Sequence, residues 1–464
     1  MSDDSAFVPI GELGRRLRAG ATTSMALTRA CLDRLTRLGP RFNCLVTLVR
    51  TPALEEARRA DAELAGGRDR GPLHGIPYGV KDLCATAGVP TTWGATPLRD
   101  QVFDFDATVV RRLRDAGAVL VAKLAMVELA GGMGYDQADA SFSGPGRNPW
   151  EPDSWSGGSS SGPGSAVAAG LVPFAIGSET WGSILTPAGF CGITGLRPTY
   201  GRVSRHGAMA LSWTMDKLGP MARSALDCDL VLTAIAGPDA ADPTTLPDPY
   251  TGRRVGDRPP FRLAVPKGAV DKVQPAVRDN FVTALDVLRR QATLSTVELP
   301  DLPYNAVALV ILRAEAASAF DAFLRAGKAA LLTAPEDHWG GFASAALPAA
   351  DYIHALRVRR RIRKALDELL EPYDALVSPT LECVANPISA RFSEYFAPFD
   401  GPPISGAGNA GGLPALTVPN GFGERGLPTS LQFAGRAGSE ARLLSIAAAY
   451  QDATDWHLRQ PPGL

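Results

Sequence analysis

The sequence predicts an α/β fold: a single domain, with a mainly helical insertion in its middle. Three observations predict it. Between residues 73 and 203 short apolar runs alternate with helical stretches, the pattern of a parallel or mixed sheet covered by helices. Past residue 270 lie three helical stretches, near 275–291, 305–327 and 350–370. No internal repeat or low-complexity tract divides the 464 residues, so 1–464 reads as one unit.

The elements follow in order. Residues 8–37 carry helical apolar spacing broken at Gly20–Ser24, a stop followed by capping residues, which gives two surface helices. Ile76–Val80, Val119–Ala122 and Val172–Ile176 read as buried strands, with a helix over Ala107–Ala116 between the first two. The stretch 236–260, rich in Pro, Asp, Gly and Thr and closing on Arg258-Pro259-Pro260, predicts a long surface connection before the strand-like Phe261–Val265. Helices near 275–291, 305–327 and 350–370 make up the insertion, placed at 270–372. Strands at Ala375–Val377, Leu413–Val418 and Leu431–Phe433 and a helix over 439–452 close the chain.

Composition narrows the function. Forty-seven basic side chains against 48 acidic ones leave no global field for nucleic acid or an anionic membrane. A small molecule is the expected partner, for a monomer or homodimer. The six cysteines form no CxxC pair, which points to reduced, buried thiols rather than a disulfide framework or zinc site, and no metal or cofactor is expected. The acidic start Met1–Ser5 lacks the basic and apolar regions of a signal peptide, and no run of about 18 apolar residues occurs. A cytoplasmic enzyme is the expectation.

The most unusual stretch is Gly157-Gly158-Ser159-Ser160-Ser161-Gly162-Pro163-Gly164-Ser165. A flexible linker is the compositional reading, but the string runs directly into the apolar Ala166–Gly170 and a strand. A phosphate-cradling loop lacks its lysine and its third glycine here. What remains is a tight loop presenting a hydroxyl. A second serine loop follows at Gly177–Ile184, and Lys81 closes the apolar run Ile76–Val80, where burial of its stem lowers the ammonium pKa toward a usable base.

Together these pieces resemble the amidase signature family from about residue 8 to the end. Gly71–Asp82 is similar to its lysine motif, Gly157–Ser160 to its first serine motif, and Ser183 falls 24 residues after Ser159. Phe190–Thr199 continues the signature. The resemblance implies a large mixed, twisted sheet flanked by helices, a core over 70–225, Ser183 as nucleophile, Ser159 as a bridging serine held by a cis peptide, and Lys81 as base. It implies backbone N–H groups of Thr180, Trp181, Gly182 and Ser183 as the oxyanion hole. A histidine triad is the rival scheme, but none of the five histidines lies near a nucleophile-elbow pattern, and His74 reads as structural.

Two departures stand out. The family usually has glycine where Trp181 stands and arginine where Leu185 stands. The indole either walls a pocket for flat or aromatic substrates, packs away from the site, or is an introduced or inactivating change. Leu185 removes a cation that could hold a carboxylate, which favours an apolar acyl group. Met126, Gly131, Gly132, Trp181 and Trp213 are the candidate pocket residues, with Met133, Tyr135, Phe142 and Trp339 as further apolar groups; core packing is the simpler reading for each apolar side chain alone. Three functions follow: a free-standing amidase that also reaches anilides, carbamates or esters; a glutaminase subunit of a tRNA-dependent amidotransferase; or a non-catalytic binding protein.

Overall fold

Apolar runs this numerous have to be stacked side by side to be buried, and among the described residues they form one mixed sheet of eleven strands. The computed structural model describes residues 5–253 and 259–464; the acidic Met1–Asp4 and residues 254–258 of the expected connection, Arg258 included, lie outside them. The strands are β1 (Leu45–Leu48), β2 (Pro77–Lys81), β3 (Val119–Leu124), β4 (Phe174–Glu179), β5 (Thr194–Arg197), β6 (Lys217–Ala222), β7 (Phe261–Pro266), β8 (Ala292–Val297), β9 (Ala375–Pro379), β10 (Ala415–Phe422) and β11 (Pro428–Ala434). They lie in the order β1-β3-β2-β4-β6-β5-β10-β11-β9-β7-β8.

β2 runs parallel to both β3 and β4, and β7 parallel to β8 and β9; the remaining pairs are antiparallel. Every residue of β2, β3 and β4 is buried, as expected of strands covered by helices on both faces, whereas the edge strands β1 and β8 are only partly buried. The fold is therefore a single α/β domain with a mixed sheet.

Several elements arise from tertiary contact rather than local signal. β5 and β6 contain glycine, proline and charged residues, weak strand formers, and pairing with each other, β4 and β10 makes them strands. β8 begins at Ala292, just past the expected helix, which ends at Leu288. The helix expected over 305–327 splits at Phe320 into Tyr304–Ala319 and Asp321–Arg325, and an unforeseen helix covers Asp337–Ala345. The N-terminal pair is Ile10–Arg18 and Ser24–Phe42, the second capped by the Thr23 side chain accepting from Ala26 N–H at 3.0 Å. All six cysteines are buried.

Candidate active site

Parallel neighbours end at the same edge of a sheet, and this places the first two parts of the site. Val80 of β2 pairs with Ile176 of β4, so Lys81, the last residue of β2, emerges beside Ser178 and Glu179, the last residues of β4. Ser159 arrives from the other direction, just ahead of the helix Ser161–Ala168 that packs on β4. Lys81 Nζ donates to Ser159 Oγ at 2.8 Å and to Ser178 Oγ at 2.9 Å. Lys81 is wholly buried, and that burial lowers its pKa to about 7 against the smaller opposing pull of Cys84, Asp216 and Glu179.

The Gly/Ser stretch that reads as a linker is interior: Gly157 through Ser165 are all buried. Its glycines answer to contact. Gly157 has φ +84°, and a methyl group there would meet Pro187 Cα at 2.7 Å. The Gly158–Ser159 peptide is cis. Ser160 ties the two serine loops together: its N–H donates to Ser183 O at 3.2 Å and its hydroxyl to Ser178 O at 3.1 Å.

A buried charge network fixes the loop that carries Ser183. Glu179 Oε2 accepts from the N–H groups of Ile184 and Leu185 at 2.9 and 3.0 Å. Its Oε1 accepts from Arg197 at 2.9 Å and from Asn409 Nδ2 at 3.0 Å, while Asn409 Oδ1 accepts from Lys217 at 2.8 Å. Burial pushes the Glu179 carboxyl up, but Arg197 and Lys217 outweigh it and hold the group at about 2. Two backbone donors of the loop are thus occupied. Among the described residues, the N–H groups of Thr180, Trp181, Gly182 and Ser183 donate to no acceptor in the chain.

Trp181 replaces glycine without backbone strain, because it is Gly182 that takes the left-handed conformation, φ +83°. The indole is half-buried and packs against a hydrophobic cluster that includes Leu185 and Met215. Leu185 is buried in that same cluster.

A cavity of about 190 Å³ opens beside the loop, touching it at Ser178 and Thr180 and walled by Leu83, Leu211, Trp213 and Leu218. Asp216 faces it, accepting from Thr180 Oγ1 at 2.5 Å; burial pushes its carboxyl up. Ala241–Thr244, from the expected surface connection, complete the wall. Of the candidate pocket residues, Trp213 lines this cavity. Met126 is buried in the central core, with Met133. Gly131 is covered by the Tyr135 ring and Gly132 by Leu211. His206 reaches the cavity wall, its ring 5.9 Å from that of Phe105, and His74 Nδ1 accepts from Arg70 N–H at 3.1 Å.

Sequence reasoning missed Ser178, Glu179, Asp216 and Asn409. Ser178 and Glu179 had a usable signal, since polar residues ending an apolar strand share the edge where Lys81 emerges. Asn409 had none, lying 230 residues from Glu179. Among the described residues no group of three or more His, Cys, Asp and Glu could hold a metal ion, and no helix is long and apolar enough to cross a membrane.

The family described as Amidase matches residues 26–444. The A subunit of the glutamyl-tRNA(Gln) amidotransferase of Chloroflexus aggregans is 38% identical over 482 residues, covering 98% of both chains. The native peptide amidase of Stenotrophomonas maltophilia superposes with a TM-score of 0.86 at 35% identity, over 98% of both chains. The corresponding glutamyl-tRNA(Gln) amidotransferase chain of Thermotoga maritima does so with a TM-score of 0.79 at 30% identity, over 96% of this chain and 94% of that one.

Proposed function

The chain belongs to the amidase signature family of hydrolases acting on amide C–N bonds, and from that premise we propose that it cleaves small apolar or aromatic amides through a Ser183 acyl-enzyme. Anilides, carbamates and esters pass through the same oxyanion and fall within the reading. The observation that carries it is a lysine without solvent, 2.8 Å from a serine hydroxyl, with a pKa of about 7.

Ser183 Oγ attacks the carbonyl carbon while its proton passes to Ser159, whose own proton moves to the neutral Lys81 amine. The oxyanion takes the free N–H groups of Trp181, Gly182 and Ser183, with Thr180 N–H as a fourth candidate; each well-aimed donor contributes about 3 kcal/mol. The C–N bond then breaks, the proton returns along the relay to the leaving nitrogen, and water attacks the ester in the same manner to free the acid. Ser178 accepts a second hydrogen bond from Lys81 and helps hold it in place. No cofactor is needed in this scheme.

Hydrolysis of an amide in the presence of hydroxylamine tests it. An acyl hydroxamate forms when an acyl-enzyme is intercepted, and Ser183→Ala abolishes both products; hydrolysis that survives Ser183→Ala sinks the assignment. The 38% identity to an amidotransferase chain favours a second reading, a glutaminase subunit working with partner chains. Glutamine hydrolysis that appears only on adding such partners would select it.

A further inference from the structure

Resting on the amidase reading, we infer that Trp213 is the specificity-determining platform for the leaving group, and that the cavity beside it takes the single aromatic ring of an N-aryl amide. Trp213 is 64% exposed although its backbone is fastened on both sides. Its carbonyl accepts from Arg205 Nη1 and from the Tyr200 hydroxyl, the latter at 3.0 Å. Ser212 Oγ and Thr214 N–H donate to Glu315 at 2.6 and 2.9 Å, and Arg359 donates to Thr214 O at 2.7 Å. A fixed main chain holding a large apolar side chain out in water has the form of a preorganised contact, not of a core residue.

The indole occupies a decisive place. It is a shared wall of the 190 Å³ cavity and of an open groove of about 870 Å³ running between Ala314–Asp321 and Ser344–Tyr352. From beneath, the Arg205 guanidinium lies 5.8 Å from its ring and 4.8 Å from the ring of Tyr200, so the platform is itself stacked.

Volume sets the ligand class. A dry cavity of about 150 Å³ accepts benzene, whereas drug-sized sites begin near about 300 Å³. At about 190 Å³ the cavity has room for one ring with a short substituent. Leu83, Met209, Leu211 and Leu218 give it an apolar lining beside the polar Arg205, His206 and Asp242, while the Asp216 oxygens already accept from Thr180 Oγ1 and from the N–H groups of Leu211 and Ser212.

Proton flow sets the side. The leaving nitrogen must receive its proton from the relay, so the leaving group lies on the Lys81 side of Ser183. The cavity reaches that side at Ser178, 2.9 Å from Nζ. The acyl carbon stays on Ser183 Oγ, the C–N bond breaks, and the arylamine departs with the returned proton past Trp213.

The test compares two amides with the same acyl group, acetanilide and acetamide. Wild-type enzyme is expected to prefer the anilide in kcat/KM. Trp213→Ala is expected to reduce that preference about tenfold, largely through KM, and Trp213→Phe to keep it within about threefold, the size of an aromatic contact. A preference unmoved by Trp213→Ala overturns the inference, as does a loss found instead for benzamide, which would put the ring on the acyl side. Calorimetric titration with aniline reads the cavity without turnover. Binding by the wild type that vanishes in Trp213→Ala supports the inference even in a chain that hydrolyses neither amide, where it is the amidase reading that fails; no aniline binding overturns the platform itself.

Discussion

At Lys81 the loss of water around the ammonium outweighs every neighbouring charge, and the residue becomes a base in the physiological range. The relay requires its neutral form, so kcat/KM for a neutral amide should rise with pH through about 7 and level off above it. Lys81→Met should flatten that rise and cost on the order of 10⁴-fold in kcat, as loss of one member of a cooperating set does. A profile that falls across this range, or one unchanged in Lys81→Met, would remove Lys81 from the base role. Ser159 and Ser183, like Lys81, are singled out in the sequence by the resemblance of their motifs to those of the family, not by composition or spacing alone. The orientation of Trp181 cannot be read there. Whether an indole points into a pocket or into packing depends on neighbours far along the chain, and here it lies half-buried against the cluster that holds Leu185 and Met215.

The loop from Glu179 to Leu185 is held by charge rather than by its own sequence. Glu179 gathers two backbone N–H groups, Arg197 from β5 and Asn409 from the helix Ile404–Gly411, all without solvent. Removing one partner of a buried ion pair leaves an uncompensated charge, which costs about 3–5 kcal/mol. Arg197→Met should therefore lower stability by that amount in urea denaturation and depress kcat together with it; a loss below about 1 kcal/mol would mean that Asn409 and Lys217 suffice to hold the carboxylate. The strand β5 that delivers Arg197 was not visible beforehand. Its Thr-Gly-Leu-Arg segment has too little strand propensity to be read without the neighbours that pair with it.

At the scale of the whole molecule, the helix Asp337–Ala345 and the preceding Thr333–Ala334 meet Glu128 around two buried carboxyl groups. Asp337 is wholly buried near Glu128, which accepts from the N–H groups of Thr333 and Ala334 at 2.9 and 2.8 Å. Burial, then the nearby Glu128 and Glu336, pushes the Asp337 carboxyl up to about 9. Its sign is definite. Between the ordinary 3.8 and about 9 the folded chain keeps a proton that the unfolded chain has lost, so stability declines as pH rises through that window. Asp337→Asn should abolish this decline and exceed the wild type in urea midpoint near pH 8; a variant weaker than the wild type there would show that the proton is not what holds the two segments together.

Fold class and family resemblance could be read without coordinates, because apolar alternation and motif residues are local properties of the chain. The network on Glu179, the clamp at Asp337 and the walls of the cavity could not. Those join residues such as Ser178, Trp213 and Ala241, or Glu128 and Ala334, whose proximity is created only when strands from both halves of the chain pair in one sheet. Buried polar groups must find partners wherever the packing brings them, and that choice belongs to the tertiary structure.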